Sequence, residues 1–393
     1  MVEGLGTDAA GIVLYVRPGT GSGHARATCG RRRRPTSWRN PSIDRSTFRG
    51  RRILVTGGSG TIGARLVEHL VGLAPDVVRV FGRDETKQFY QRQQFRDQRN
   101  IRFLIGDVRD RDRLARAMEG IDTVFHCAAL KHVESGEYNP FEATQTNVVG
   151  TQNVIDACLA AGVRTMILTS SDKAANPTSV MGATKLLAEK LVSAATNYRG
   201  THETVFASVR FGNVLGSRGS AIDLFFRQVA AGGPVTVTDP AMTRFVMTTD
   251  RAVNLAIRAA EVARGGEVFV FKMPAAGLPD LVAAAIAVAA PAAGRDPSSI
   301  ATVSIEQRPG EKAYEELMTE DESRRAYDIG EMYAVMPSIE SRREVVEAYR
   351  EAPPAPVGAY RSDTVELLSF DEVRSLVQAS FAPDPLAADG RPG

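Results

Sequence analysis

ILVTGGSGTIGARLVEHLVGL (residues 53–73) changes character twice. Residues 53–56 are an apolar run of strand length, three glycines follow at spacings of three, and an amphipathic run from about 64 to 73 reads as a helix. A strand that turns tightly into a helix N-terminus presents free N–H groups and the positive end of the helix dipole. Gly57, Gly60, Thr61, Ile62 and Gly63 are therefore the expected contacts for the pyrophosphate of a dinucleotide. A glycine-rich turn without a ligand is the plain alternative, and the strand–turn–helix setting decides against it.

Outward from this motif the pattern repeats. Apolar runs at 77–81, 101–107, 123–129, 165–171 and 205–211 read as further strands, with amphipathic stretches such as 111–119 and 147–161 between them. Alternating strands and helices with apolar strands predict an α/β fold: a doubly wound parallel sheet of Rossmann type. The second strand ends in FGRDE, where Arg83 and Asp84 stand about twenty residues past the motif. A guanidinium there suits a 2′-phosphate, which favours NADP over NAD. The other reading leaves Arg83 in solvent. Asp107 and Val108 follow the third strand and are placed to meet the adenine, while Ala128, Ala129 and Lys131 follow the fourth, near the expected nicotinamide.

After Asn213 the alternation breaks down. Helix-like runs at 222–231 and 249–264 among short loops predict a smaller substrate-binding lobe over 213–350, packed on a nucleotide-binding domain over 50–212. Residues 351–360 (EAPPAPVGAY) read as a linker, followed by a short helix at 369–379 and a frayed end. Residues 1–49, rich in Gly, Arg, Ser and Pro, read as a poorly ordered extension. The run Arg31–Arg34 is a solvated tail unless it touches a polyanion.

The chain has 393 residues, 43% hydrophobic and 24% charged, with a net charge of +2. That excludes a disordered chain and a membrane bundle, and leaves no global field to draw the protein onto nucleic acid or anionic lipid. The longest apolar stretch, LVAAAIAVAA (281–290), falls short of the roughly 20 residues of a membrane span and reads as a buried helix. GIVLYV near the start is too brief for a secretory core. Three cysteines form no disulfide framework, and Cys127 and Cys158 read as buried inert thiols. Five scattered histidines give no metal spacing. A cytoplasmic protein without metal or membrane insertion is expected.

The fifth strand runs into TSSDKAANPTSVMGATK, residues 169–185. Ser171, position 181 and Lys185 have the spacing of a Ser/Tyr/Lys dehydrogenase triad, and residues four apart on a helix share a face. Position 181, however, is Met, whose thioether carries no proton at neutral pH. Adjacent Asp172 and Lys173 offer an acid and a base. Such a pair is usually a surface ion pair, but its place after the fifth strand of a nucleotide-binding sheet argues for catalysis. Lys173 can act as a base only if burial or neighbouring cations, such as Lys131 and Lys185, depress its pKa.

From about Arg51 to Leu376 the chain resembles the extended short-chain dehydrogenase/reductases. Within them it resembles the UDP-N-acetylglucosamine 4,6-dehydratases of the CapD/CapE-like polysaccharide-biosynthesis group. The resemblance rests on TGGSGTIG, GRDETKQ, IGDVRD, HCAALKHV, EYNP, SSDKAANP, MGATK, VRFGNVLGSRGS, TDPAMTRF and RPGEK. Members bear Tyr or Met at the position of Met181, and this chain matches the Met-bearing, shorter form without a transmembrane part. The resemblance implies a UDP-sugar substrate and a homo-oligomer, commonly a hexamer. It makes Lys173 the base at sugar carbon 5, Asp172 the acid for the carbon 6 hydroxyl, Ser171 a donor to the carbon 4 oxygen, and Lys185 the binder of the nicotinamide ribose. Asp172 is also the group expected to take the carbon 4 hydroxyl proton, with Met181 an apolar wall.

Two substrate phosphates call for cations, and Arg218, Arg244, Arg308 and Lys312 are the candidates, although each alone is more often a solvated charge. Asn147 and Asn213 are candidate polar contacts. Lys131 is a candidate on the substrate side as well, and His132 is as easily a satisfied hydrogen bonder as a catalyst. The Met form favours inversion at carbon 5. A nucleotide-sugar 4-epimerase ranks below, because that chemistry usually uses the Tyr and needs no Asp–Lys pair. A catalytically silent NADP-binding regulatory protein is the reading of another class.

Overall fold

A computed structural model describes residues 43–306, 311–338 and 343–381. The extension expected over 1–49 lies outside them up to residue 42, as do Arg308 and the end after 381. The six expected strands are present as β1 (Arg52–Thr56), β2 (Val77–Gly82), β3 (Ile101–Ile105), β4 (Thr123–His126), β5 (Thr165–Thr169) and β6 (Val205–Arg210). β3, β4 and β5 stop two or three residues early, where the chain leaves the ladder to form the loops of the site. Between the strands run α1 (Thr61–Val71), α2 (Glu85–Gln94), α3 (Arg111–Met118), α4 (Val133–Tyr138), α5 (Pro140–Thr144), α6 (Gly150–Ala161) and α7 (Val180–Tyr198). A π-helical turn, Gln145–Val149, leads into α6.

The remaining strands are β7 (Asn213–Leu215), β8 (Val235–Val237), β9 (Thr243–Thr248), β10 (Val268–Phe271), β11 (Ala275–Gly277), β12 (Thr302–Ser304), β13 (Glu316–Met318), β14 (Ala326–Asp328), β15 (Met332–Val335) and β16 (Tyr360–Arg361). With them come α8 (Ala221–Ala231), α9 (Thr249–Val262), α10 (Leu278–Ala292), α11 (Glu320–Ser323), α12 (Arg343–Ala348) and α13 (Phe370–Ser380). The main sheet has nine strands in the order β14-β15-β10-β6-β5-β4-β1-β2-β3. β10 joins β6 in parallel, whereas β15 pairs antiparallel to β10 and β14 to β15. The sheet thus draws strands from both sides of residue 212. β10, VFVF, is buried on both faces like β4 and β5, and a four-residue run that short carries little sequence signal.

Burial on both faces explains the apolar runs of the central strands. On one face α1 and α9 bring Leu66, Leu70, Leu255 and Ile257 against the strands. On the other, α3, α6 and α7 contribute Leu114, Val154, Cys158 and Val192. A separate core under β8, α8, α10 and α13 gathers Leu215, Phe225, Leu281, Ala285 and Val377, and α10 is the Ala-rich helix expected to be buried. Among the described residues no helix is long and apolar enough to cross a membrane.

The stretch read as a linker is tied down instead. Asp328 N–H donates to Pro353 O at 2.8 Å, Ala355 N–H to Ala326 O at 2.8 Å, and Tyr360 enters a strand pair with β13. Its prolines remove donors but leave carbonyls to accept from the sheet edge. Arg210 on β6, 1% exposed, clamps the C-terminal chain to the sheet by pairing with Glu189 of α7 at 2.6 Å and Glu322 of α11 at 2.8 Å. It also donates to Leu317 O at 3.0 Å. Cutting one member would strand buried charge, so this clamp fixes where residues 315–318 sit.

Candidate active site

The order of the strands reverses between β1 and β4, and at such a switch point the carboxyl ends of the strands open a crevice. The glycine loop sits there. Gly57 has φ +64°, and a Cβ on it would lie 2.7 Å from Ala128 N. A Cβ on Gly63 would lie 2.3 Å from Gly57 O, so only glycine lets α1 pack onto the loop. Gly60 is the N-cap of α1 and offers no side-chain cap, leaving the first-turn N–H groups at Thr61 and Ile62 for an anion.

Arg83 is about half exposed and lies 3.4 Å from Asp107. Asp84 caps α2 by accepting from Lys87 N–H at 2.9 Å, so its carboxylate is committed to the helix. Asp107 accepts from Arg109 at 2.7 and 2.9 Å. Burial pushes its carboxyl up, but Arg109 outweighs this and holds it below the usual range. Val108 packs beside Gly150, its carbonyl bound by Asn153 at 3.1 Å. Ala128 N–H donates to Thr56 Oγ1 at 3.3 Å, and Ala129 is half-buried beside it.

The second half of the site is the turn after β5. Asp172–Ala174 form a 3₁₀ turn capped by Ser171, whose Oγ also donates to Asp172 Oδ1 at 2.7 Å. Lys173 Nζ lies 3.1 Å from Asp172 Oδ2. Helix α7 presses on this turn because residue 182 is glycine: a Cβ there would lie 2.3 Å from Lys173 O. Met181 is buried, 4% exposed, and faces Gly136 of α4 as an apolar wall. Lys185, one helical turn on, is buried and donates to Thr169 O at 2.6 Å. Burial pulls its ammonium down to about 8.

The third part was not legible in the sequence. Glu315, 7% exposed, reaches the Asp172–Ala174 turn from the segment entering β13. Its Oε1 lies 3.7 Å from Lys173 Nζ and 3.7 Å from Arg244 Nε, and accepts from Asn213 Nδ2 at 3.0 Å. Its Oε2 accepts from Phe245 N–H at 2.9 Å. Ser362, fully buried, accepts Glu315 N–H on its Oγ at 2.9 Å, which makes the segment Tyr360–Asp363 a brace. Burial first, then the neighbouring Asp172, lift the Glu315 carboxyl to about 7. Burial also pushes Asp172 up, but Lys173 and Ser171 prevail and keep it below the usual carboxylate range.

The expected depression of Lys173 is reversed. Burial does pull its ammonium down, but Asp172 and Glu315 together raise it above the ordinary lysine value. Neither Lys131 nor Lys185 is the cation that acts on it; Arg244 is. Lys131 instead donates to Arg218 O at 2.5 Å, and burial lowers it. Arg218 is exposed, and its charge is felt at Asp84 and Lys131 on the dinucleotide side, away from Lys173. Asn147 is also reassigned. Its amide accepts from Leu130 N–H at 2.8 Å and donates to Leu130 O and Thr184 Oγ1 at 3.0 Å, so every polar atom is spent fastening the loop after β4 to α7. Lys312 reaches Asn176 O, and its field extends to Asp172 and Lys173. His132 packs under Gly219.

A Rossmann-type crevice with a glycine loop on one side and the Asp172–Lys173 pair on the other has the fold of an extended short-chain dehydrogenase/reductase. The chain belongs to the polysaccharide biosynthesis protein family, whose sequence model matches residues 53–337. It is 40% identical over 294 residues to a UDP-N-acetylglucosamine 4,6-dehydratase (inverting) of Campylobacter jejuni, covering 74% of this chain and 84% of that protein. It is 36% identical over 337 residues to a UDP-glucose 4-epimerase of Rickettsia canadensis, covering 84% and 96%. The X-ray structure of Pen from Bacillus thuringiensis is 45% identical and superposes with a TM-score of 0.80 over 85% of this chain and 99% of that one.

Proposed function

We propose that this chain catalyses the NADP-dependent 4,6-dehydration of UDP-N-acetylglucosamine, with inversion at carbon 5, giving a 4-keto-6-deoxy sugar nucleotide for polysaccharide or capsule synthesis. The observation that carries the reading is the Asp172–Lys173 ion pair, its carboxylate buried and its lysine partly open to solvent, beside a methionine where a phenol would otherwise move protons.

The loop fits a dinucleotide: glycines at 57 and 63 let it pack tightly against Ala128 and α1, and the uncapped first turn of α1 leaves N–H groups for a pyrophosphate. Arg83 would meet the 2′-phosphate, Asp107 and Val108 the adenine side, Ala128, Ala129 and Lys131 the nicotinamide half, and Lys185 its ribose. When bound, the nicotinamide supplies reversible hydride acceptance and leaves each turnover regenerated.

The protein's own work is done on protons. Asp172, ionised at rest, takes the proton of the carbon 4 hydroxyl and later gives it to the carbon 6 oxygen, which departs as water. Lys173 removes the carbon 5 proton, acidic once carbon 4 is a ketone, and returns it; return to the opposite face inverts the centre. Ser171 orients Asp172. Arg244, Lys312 and Arg308 supply positive charge for the diphosphate, with Arg218 nearer the dinucleotide. The enzyme works as a homo-oligomer in the cytoplasm.

A 4-epimerase is the second reading, favoured by the length over which the epimerase relative matches. Incubation with UDP-N-acetylglucosamine and no added cofactor, followed by proton NMR, separates the two. A new C6 methyl signal supports dehydration, UDP-N-acetylgalactosamine supports epimerisation, and unchanged substrate leaves a binding protein.

A further inference from the structure

Lys173 poses a chemical problem. A base must be neutral to accept the carbon 5 proton, yet two carboxylates hold this lysine as an ammonium. Asp172 cannot relieve it, because Asp172 is occupied by the carbon 4 hydroxyl proton. One other carboxylate stands beside it: Glu315, 7% exposed, with Oε1 3.7 Å from Nζ, its carboxylate held by Asn213 Nδ2 and Phe245 N–H and its backbone N–H by Ser362 Oγ.

We propose that Glu315 is the proton acceptor that discharges Lys173, holding the ammonium proton through the catalytic cycle so that the neutral amine can serve as the carbon 5 base. The inference rests on the dehydratase reading and assigns that site a residue acting through Lys173, a positioning residue.

The protons balance. At rest Asp172 is a carboxylate, Lys173 an ammonium and Glu315 a carboxylate. Substrate binding excludes water, which favours the neutral amine and neutral acid over the separated charges, and one proton passes from Nζ to Glu315. Asp172 then takes the carbon 4 hydroxyl proton, Lys173 takes the carbon 5 proton, and Asp172 releases its own to the departing carbon 6 oxygen. Lys173 returns its proton to carbon 5, and Glu315 restores the ammonium. The carboxyl must be basic enough to accept, and burial with Asp172 beside it brings Glu315 to about 7. The charges facing it are Asp172 and Lys173 from the catalytic turn, Arg244 from β9 and Lys312 from its own segment. Lys173 and then Arg244 keep the value from rising further. A pair of carboxyls driven apart in this way divides into one that stays ionised and one that readily accepts a proton.

Below pH 7 Glu315 is already protonated, and Lys173 cannot discharge. In the wild type kcat should rise with pH through about 7. In Glu315→Gln the acceptor is gone and the rise should move toward the lysine's own range. At pH 7.5 kcat should fall by about 100-fold, a typical general-base contribution, with KM for UDP-N-acetylglucosamine within about twofold. Glu315→Asp, which retains the acceptor, should return the rise to near neutrality. A Glu315→Gln profile that superimposes on the wild type overturns the proposal, as does an Asp variant that tracks the Gln variant.

Difference infrared spectroscopy gives a readout independent of turnover. The wild type should show a protonated-carboxyl stretch that disappears as pH rises through about 7 and is missing from Glu315→Gln. No such band between pH 5 and 9 overturns the proposal. A titrating band in a protein that leaves the substrate unchanged defeats the dehydratase reading while the acceptor carboxyl stands.

Discussion

Replacing Glu315 by Gln should make the protein more stable at alkaline pH. The side chain is 7% exposed, and its carboxyl rises from an ordinary value of 4.5 to about 7 in the fold. The native state therefore binds a proton there more tightly than the unfolded chain does. The stability this confers is complete below pH 4.5 and is lost as pH rises through 7. A shift of that size corresponds to about 3 kcal/mol at roughly 1.4 kcal/mol per unit. Gln has no such dependence. It also fits: its carbonyl can accept from Phe245 N–H, and the Asn213 amide, turned over, can accept from its NH₂. For a chain of 393 residues, an unfolding entropy of about 2 cal/mol/K per residue converts that to roughly 4 °C. Scanning calorimetry of both proteins from pH 4.5 to 8.5 should show Tm of the variant gaining on the wild type by about that much across the range. A difference in Tm that stays flat with pH would refute the placement of a titrating carboxyl at this position.

Lys173→Ala should leave dinucleotide binding intact and lower dehydratase kcat by at least about 1000-fold; full turnover by that variant would remove Lys173 from the mechanism. Gly63→Ala puts a carbon 2.3 Å from Gly57 O, so titration calorimetry should show dinucleotide affinity falling at least about tenfold. Arg83→Ala should weaken NADP by roughly 10- to 100-fold and leave NAD unchanged, as loss of a charge-assisted contact to a 2′-phosphate requires. Arg210→Met leaves Glu189 and Glu322 buried without their cation, and denaturant unfolding should register a loss of about 3–5 kcal/mol.

What the sequence determined by itself was set by short-range chemistry. Strands buried on both faces must be mostly apolar, so β1, β2 and β4 to β6 stood out as runs, and the edge strand β3 kept enough apolar residues to stand out with them. A tight turn into a helix must be glycine-rich, so Gly57, Gly60 and Gly63 announced the crevice, and the adjacency of Asp172 and Lys173 was visible because the two are neighbours in the chain. The tertiary structure decided whatever depends on partners far apart. Glu315 sits in the run EKAYEEL, where Glu311, Glu315 and Glu316 look alike; only the pairing of residues 315–318 with the catalytic turn and with Tyr360–Arg361 buries one of them against Lys173. Asn147 had the composition of a ligand contact, but its three hydrogen bonds go to Leu130 and Thr184. The charge on Lys173 was misjudged for the same reason. A pKa is the sum of burial and every nearby charge; adjacent Asp172 raises Lys173 first, and Glu315, which adds to it, enters the site more than a hundred residues further along the chain.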